Sequence, residues 1–380
     1  MYPSLSIQSQ SLSATVFAPP DGALLALSLI VVVRNGARAL AALLLDIARQ
    51  DFPTDRMELI LVDGGSTDGT RAVIEEFVRT HPHLHVLVLD NPGRILASGW
   101  NLALRHARGR ASLRLDAHSM IPPGFVRANV ERSRDEAICG GYLEALEPRG
   151  VWERLVFLAD SSRFGGSAAA FRNPGAARYV DSVAYATYRR EVFAVVGGFD
   201  ERLVRNQDNE MHHRLRKAGF KFFFDPIIHA YYKPRASFKA LLQQKYGNGY
   251  WVGLTLGISP GCFGLRHLVP GLFVMALLMA IVWLCWQGAT PWGLLPLVTV
   301  LAPYGLLATH FALQSARKAT HCVNPLCVLL PALFLMMHMA YGLGTLAGLV
   351  IIPFFLYRHR GYMRPWPVEV DVMAQEIVQH

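Results

Sequence analysis

The chain has 380 residues, a formal net charge of +9 and five cysteines. That length supports more than one domain. No basic block with interleaved aromatics accompanies the positive charge, so nucleic acid is set aside as a partner; the cysteines lack paired spacing, which excludes a disulfide framework or a zinc motif and suits a reducing compartment. Charge is spread very unevenly: no Asp, Glu, Lys or Arg occurs between Arg266 and Arg317, or between Lys318 and Arg358. The sequence therefore reads as a soluble-type domain followed by a membrane domain, with positive charge concentrated at the flanks of membrane segments.

Residues 1–22 are expected to form a flexible tail, since they lack the basic start and long apolar run of a secretory signal. Leu24 to Val33 is a nearly continuous apolar run rich in β-branched residues, the pattern of a strand buried on both faces of a parallel sheet. Asn35-Gly36 ends it. Arg38 to Gln50 places Leu40, Leu43, Leu44 and Ile47 at helical spacing, and Leu59 to Val62 is the next strand, so the chain opens as a βαβ unit. The second strand runs into Asp63-Gly-Gly-Ser-Thr-Asp68-Gly-Thr70, ahead of a helix over Arg71 to Thr80. Glycines and small hydroxyl residues at a strand-to-helix turn allow close backbone approach to a nucleotide. The loop matches neither the Walker pattern nor the dinucleotide fingerprint. Ser66, Thr67 or Asp68 would also serve as a helix cap, although that leaves an acid at the strand end, Asp63, without a purpose.

A third strand, His85 to Leu89, leads through Asn91-Pro-Gly-Arg94 to a helix over Ala97 to Ala107 containing Asn101. Arg94 is either a phosphate ligand or an ordinary surface arginine. The fourth strand, from Ser112, ends at Asp116-Ala-His118 ahead of Pro122-Pro123. Side chains two apart leave a strand on the same side, so the Asp116 and His118 pair is placed to share one metal ion; taken alone, it is equally a solvated strand end. Strand, turn and helix alternate throughout, which predicts a doubly wound α/β sheet.

Further on, Asn206-Gln-Asp208-Asn-Glu210 opens a helix closed by Gly219, with Met211, Leu215 and Ala218 on its apolar face. An acid at a helix start is favoured by the dipole in any case. His212 and His213 are not spaced to share a metal and read as surface or packing residues. After a strand at Phe222 to Phe224, residues 236–253 form an amphipathic interfacial segment, with Phe238, Leu241, Leu242 and Tyr246 on one side and Lys239 and Lys245 between. Leu268 to Trp286 and Trp292 to Leu313 are each long enough to span a bilayer, for which about 20 apolar residues are needed. Leu326 to Leu356, with Pro331 and Gly344-x-x-x-Gly348, is expected to form a pair of short helices or a re-entrant hairpin, because Arg358 and Arg360 place the 358–380 tail in the cytoplasm.

Three stretches, Ser28-Leu-Ile-Val-Val-Val-Arg-Asn35, Val62-Asp63-Gly-Gly-Ser-Thr-Asp68-Gly-Thr70 and the Asp116-x-His118 strand end, resemble the inverting family 2 glycosyltransferases. Ser162-Arg-Phe-Gly-Gly-Ser167, Val180-Asp181-Ser-Val and Gly197-Gly-Phe-Asp-Glu201 running into Val204 to Glu210 are similar to the succinoglycan-type exopolysaccharide glucosyltransferase subgroup. The resemblance implies a GT-A catalytic domain over residues 23–235, followed by C-terminal transmembrane helices over 267–357. It also implies that Asn35, Asp63, Arg94 and Asp116 bind a nucleotide sugar, with the Asp63 carboxylate at the base. Asp116 and His118 then hold Mn2+ or Mg2+, and Asp208 is the base that takes the acceptor hydroxyl's proton. Glu210 either binds the acceptor or pairs with Arg214 one turn on.

Three departures from the family pattern bear on this reading. The usual Pro-x-Tyr-Asn-Glu after the first strand is Val32-Val-Arg34-Asn35-Gly36. The second metal carboxylate is His118, which favours Mn2+ over Mg2+ because magnesium prefers hard oxygen ligands. The Gln-x-x-Arg-Trp signature of processive synthases is missing from Gln243 to Trp251. The expectation is a metal-dependent enzyme of the cytoplasmic membrane, its catalytic domain facing the cytoplasm, moving glucose from UDP-glucose to a saccharide on a polyprenyl diphosphate. A processive synthase and a non-catalytic nucleotide-sugar sensor or scaffold are the rivals.

Overall fold

The computed structural model describes residues 25–363, except 149, 167–169, 174, 235–236 and 319–324. The expected tail at 1–22 and most of that at 358–380 lie outside the described residues. The first half is built from β1 (Leu25–Val33), α1 (Ala37–Ala48), β2 (Met57–Asp63), α2 (Thr70–Thr80), β3 (His85–Asp90), α3 (Leu96–His106) and β4 (Gly109–Asp116). β1 shows why a continuous apolar run was needed. Leu27, Leu29 and Val31 enter one core with Leu40, Leu43, Leu44 and Ile47 of α1, while Ile30 and Val32 enter a second with Ala97, Trp100 and Leu104 of α3. Each such side chain contributes roughly 1.5–3 kcal/mol when fully buried.

The second half continues with α4 (Phe125–Asp135), β5 (Ile138–Ala145), α5 (Val151–Ser161), β6 (Arg178–Val180), β7 (Ala184–Arg189), α6 (Arg190–Val196), α7 (Gln207–Lys217) and β8 (Phe222–Tyr232). All strands join one eight-stranded sheet in the order β3-β2-β1-β4-β7-β5-β8-β6. β1, β2, β3 and β4 are parallel, and β7 is antiparallel to both β4 and β5. The strand order reverses around β1, the position where open α/β sheets bind ligands outside their carboxyl ends. β8 is much longer than the expected Phe222 to Phe224, because the pairing skips from Asp225 to His229 across Gly141 and Tyr142 and so accommodates Pro226 in a bulge. Gly141 is obligatory there: a Cβ would stand 1.6 Å from the Ile228 carbonyl oxygen.

A helical module follows: α8 (Phe238–Ile258), α9 (Val269–Gln287), α10 (Pro291–Lys318) and α11 (Leu330–Arg358). Stretches 269–287, 291–317 and 326–358 are long and apolar enough to cross a membrane. Two expectations are corrected here. Residues 326–356 are not a pair of short helices; after a 3₁₀ turn at Pro325–Leu329 they form one helix, since Pro331 falls in its first turn, where no amide is missed. The segment expected over 236–253 does not end near 253: the helix runs on to Ile258, packed against α11 through its glycines and against α5 through Leu241. Leu155, Val156 and Ala159 of α5 share a core with Leu241 of α8, Ala308 of α10 and Phe334 of α11, joining the module to the sheet domain.

Candidate active site

The carboxyl ends of the central parallel strands converge. Val33 stands opposite Asp63, and Val32 opposite Asp116, so the loops after β1, β2 and β4 open side by side. Asn35, in left-handed backbone at φ 53°, closes the first loop onto the second. Its Oδ1 accepts from the Thr67 amide at 2.8 Å and its own amide donates to Ser66 Oγ at 2.8 Å. Asp63 is buried, and its Oδ1 accepts from Ser66 Oγ at 2.6 Å and from the Ser66 amide at 3.2 Å. The carboxylate at the strand end thus shapes the glycine turn. The helix that follows is capped differently from expectation: Gly69, at φ 88°, occupies the N-cap position, and Asp68 instead accepts from Thr70 and from the Ala37 amide. These bonds hold the Asp68 carboxyl below its ordinary range, with the Thr70 hydroxyl as the main cause. Arg94 reaches the same mouth, since a Cβ on Gly65 would lie 3.4 Å from its Nε.

Asp116 is the last residue of β4, and the turn that follows, with the Ser119 amide donating to the Asp116 carbonyl at 2.9 Å, carries an exposed His118. The imidazole is placed by this turn rather than by the strand pleat. Among the described residues no group of three or more His, Cys, Asp or Glu side chains is arranged to hold a metal. A carboxylate and an open imidazole fit an ion that takes most of its ligands from a bound diphosphate and water.

Asp208 is the second residue of α7, entered through Asn206 at φ 62°. Its Oδ2 lies 3.9 Å from Arg114 Nη2, with side-chain exposures of 43% and 12%. Arg114 belongs to β4, two residues before Asp116, so a single strand carries the strand-end acid and the cation beside Asp208. The guanidinium lies over the Trp100 ring, 4.0 Å from its centroid, and 5.8 Å from that of Phe199. This cation-π shelf supports a mostly buried charge that has little other company. Below it, Tyr188 Oη and His212 Nε2 stand 2.8 Å apart. Burial pushes the His212 imidazole down to about 3, against the opposing pull of Asp208. His212 is therefore a neutral packing residue, as its spacing suggested.

Glu210 departs from one of its expected roles. It is 1% exposed, and Arg214 clasps it with Nε at 2.8 Å and Nη2 at 2.9 Å while also donating to the Val196 and Gly198 carbonyls. The acceptor-binding assignment is corrected on this ground, because a buried, doubly bonded carboxylate presents no face to a saccharide.

Sequence reasoning missed Arg114, Trp100 and Tyr188, which read as ordinary core or surface residues. It also missed Tyr185, which sits buried at φ 44° and whose phenol is raised mainly by burial and then by the Asp116 charge. A non-glycine residue at positive φ next to a strand-end acid was visible only in three dimensions. Two motif blocks prove structural. Asn101 bonds the Phe199 amide and carbonyl and the Glu201 carboxylate, docking Gly197 to Glu201 on α3. Phe164, from the Ser162 block, packs against Phe311, Phe334 and Tyr304 of the helical module.

A largely parallel α/β sheet with acids at the ends of β2 and β4 and a further acid, Asp208, beside Arg114 of β4 is the layout of the GT-A class. Residues 28–197 match Glycosyl transferase family 2, so the chain carries a family 2 glycosyltransferase domain. The chain is 28% identical to the succinoglycan biosynthesis protein ExoA of Rhizobium meliloti (strain 1021), over 64% of this chain and 74% of that one. It is 25% identical to the dolichyl N-acetyl-alpha-D-glucosaminyl phosphate 3-beta-D-2,3-diacetamido-2,3-dideoxy-beta-D-glucuronosyltransferase of Methanococcus voltae, over 85% of this chain and 97% of that one. In structure it is similar to the mannosyltransferase PcManGT of Pyrobaculum calidifontis in complex with GDP-Man and Mn2+, with a TM-score of 0.52, 20% identity and coverage of 87% and 89%. That likeness establishes the GT-A fold.

Proposed function

We propose that this chain is an inverting, metal-dependent, membrane-anchored transferase that moves glucose from UDP-glucose to a lipid-linked saccharide at the cytoplasmic face. The observation that carries the reading is the arrangement on β4: Asp116 stands at the strand end, and Arg114, two residues earlier, lies 3.9 Å from Asp208. On this reading Asp116 serves the diphosphate side of the donor. Asp208 takes the proton of the acceptor hydroxyl as that oxygen attacks the anomeric carbon and the C–O bond to the nucleoside diphosphate breaks. Asn35, Asp63 and the Gly64 to Ser66 turn hold the nucleoside end, with Arg94 at the mouth for phosphate oxygens. A divalent ion, when bound at Asp116 and His118, would neutralise the departing diphosphate. Arg114, beside Asp208, keeps it aimed. Relatives that act in succinoglycan biosynthesis and on a dolichyl-linked sugar support a lipid-linked glycan acceptor.

The test is mass spectrometry of the lipid-linked product formed by the full chain in membranes, given a panel of nucleotide sugars. The expected result is a gain of one hexose from UDP-glucose. A ladder of products would identify a processive synthase, and donor binding without turnover on any lipid-linked acceptor would identify a sensor.

A further inference from the structure

By length and composition α11 ranks with α9 and α10 as a helix able to cross a membrane. Its packing argues for a different placement. In its first third, His338 Nε2 donates to the Phe164 carbonyl at 2.8 Å, and Phe334 and Met337 share a core with Leu155 and Ala159 of α5. Just past its other end, the Tyr362 hydroxyl accepts from the Glu201 amide at 2.8 Å, with the Arg202 guanidinium 4.7 Å over its ring. These two attachments are roughly 30 Å apart along the helix, at about 1.5 Å per residue. Both rest on the catalytic domain.

Between them α8 runs parallel to α11, backbone against backbone. A Cβ on Gly249 would stand 1.9 Å from the Tyr341 carbonyl oxygen, one on Gly253 2.5 Å from that of Thr345, and one on Gly348 2.2 Å from that of Tyr250. α8 is in turn pinned to polar surface: Lys245 Nζ reaches Asp160 at 2.8 Å and the Gly165 carbonyl at 2.7 Å, and Arg205 donates to Asn248 at 3.0 Å. If α11 crossed a hydrocarbon core about 30 Å thick, these charged groups would have to enter it alongside. Each would cost at least about 2.5–3.5 kcal/mol near the bilayer centre.

Resting on the membrane-anchored reading above, we infer that α11 lies along the membrane surface beside α8, and that among the described helices α9 and α10 make the crossings. α11 then covers one side with α8 and turns the stripe Met336, Leu343, Val350 and Tyr357, which are 40%, 43%, 76% and 63% exposed, to the acyl chains. The hairpin is suited to crossing. α9 meets α11 through Pro270 and Val274 at Gly342, then leaves it, so that Met279, Val282 and Trp286 are 67%, 68% and 75% exposed. Its 19 residues measure about 28 Å. α10 returns beside it, with Tyr304 stacked on Phe273 and the Trp292 carbonyl accepting from Trp283 Nε1 at 3.1 Å. Trp283, Trp286 and Trp292 gather at the charge-free tip, where an aromatic belt belongs, and Arg266 and Arg317 flank the other end. Two crossings bring Arg358 and Arg360 back to the side of the catalytic domain.

The test uses the full chain reconstituted in phosphatidylethanolamine and phosphatidylglycerol vesicles. Nitroxide labels at Met336→Cys, Leu343→Cys, Val350→Cys and Tyr357→Cys, and at Leu272→Cys, Met279→Cys and Trp286→Cys, each with the native cysteines replaced by alanine, are read for depth by oxygen and nickel-chelate collision. The four α11 labels are expected at one shallow depth, with the α9 labels deep at 279 and shallow at 272 and 286. A second measurement keeps every native residue: protease access to a C-terminal epitope in sealed vesicles, where the epitope is expected to be cut from the same face as the catalytic domain. Deep labels at 343 and 350 with 336 and 357 on opposite surfaces, or an epitope shielded from the face that exposes the catalytic domain, would overturn the placement. Labels on α9 that remain in water would instead refute membrane anchoring, and this topology with it.

Discussion

The two halves of the cleft are built by different rules. The first half, β1 to β4 with α1 to α3, to which the donor side is assigned in the proposal above, is a series of consecutive parallel units in which β1 and β2 are buried on both faces, and its candidate residues sit where successive strands end. The second half, to which the acceptor side is assigned in the proposal above, brings β7, α7 and β8, neighbours along the chain, back onto β4 and β5, with β7 antiparallel to both. The proposed chemistry rests on one contact across the two halves, Arg114 on β4 with Asp208 on α7. The first half sets its side of the cleft mainly through the turns between consecutive units, whereas the second half relies on side chains that meet only when it returns onto β4 and β5. Substitutions on the two sides should therefore separate donor affinity from turnover.

The largest separation is expected at Asp208→Asn, which removes the proton acceptor while nearly preserving its shape. Transfer should fall by roughly 100-fold or more with donor affinity little changed, as read by kcat and by titration of the nucleotide sugar. A loss confined to donor affinity would place Asp208 on the wrong side of the comparison. Next comes Asp63→Ala on the donor side. Removing a charged acceptor of the Ser66 bonds should weaken donor binding by about tenfold or more at a kcat that saturating donor restores.

Arg114→Met should act from beneath the base. An ion contact at 3.9 Å with a partly exposed partner is worth about 1–2 kcal/mol, so kcat should fall roughly 5- to 30-fold with donor affinity retained. Arg114→Lys should restore part of it. An equal loss of donor affinity would show that the guanidinium meets the diphosphate instead. The smallest effect is expected at His118→Asp: activity with Mn2+ should exceed that with Mg2+ in the native chain, and the aspartate should narrow or reverse this by a few-fold. Metal titrations that coincide for the two proteins would remove His118 from the metal site.

How much of this was legible in the sequence follows the same division. The runs at β1 and β2 and the helical spacing of Leu40, Leu43, Leu44 and Ile47 reflect burial that a linear pattern records, and the strand-end acids follow from them. Asp208 was reached as an acid at a helix start and through family resemblance. Arg114 was not: in Leu113-Arg-Leu-Asp116 it reads as the polar member of an alternating strand, and only the fold brings Trp100, Phe199 and Asp208 around it. Glu210 could be read either way until its burial against Arg214 decided it. In β8, Pro226 signals an ending, and the bulge that absorbs it depends on Gly141, more than eighty positions earlier in the chain. The helices after Ser237 were found by hydropathy, but hydropathy measures how much apolar surface a helix has and not what covers it. Hydropathy alone therefore neither joins 330–358 into one helix nor shows that α8 continues to Ile258 against α11.

The central claim is that a single displacement occurs in this cleft, with Asp208 activating the acceptor on the face opposite the departing diphosphate. The most direct measurement is the anomeric configuration of the transferred sugar, read from the anomeric proton coupling in the NMR spectrum of product made from α-linked UDP-glucose. The account predicts a β-linkage, formed by the native chain and lost in Asp208→Asn. An α-linked product would contradict it, because retention requires a second displacement or a different approach to the anomeric carbon, and neither assigns Asp208 the role of base.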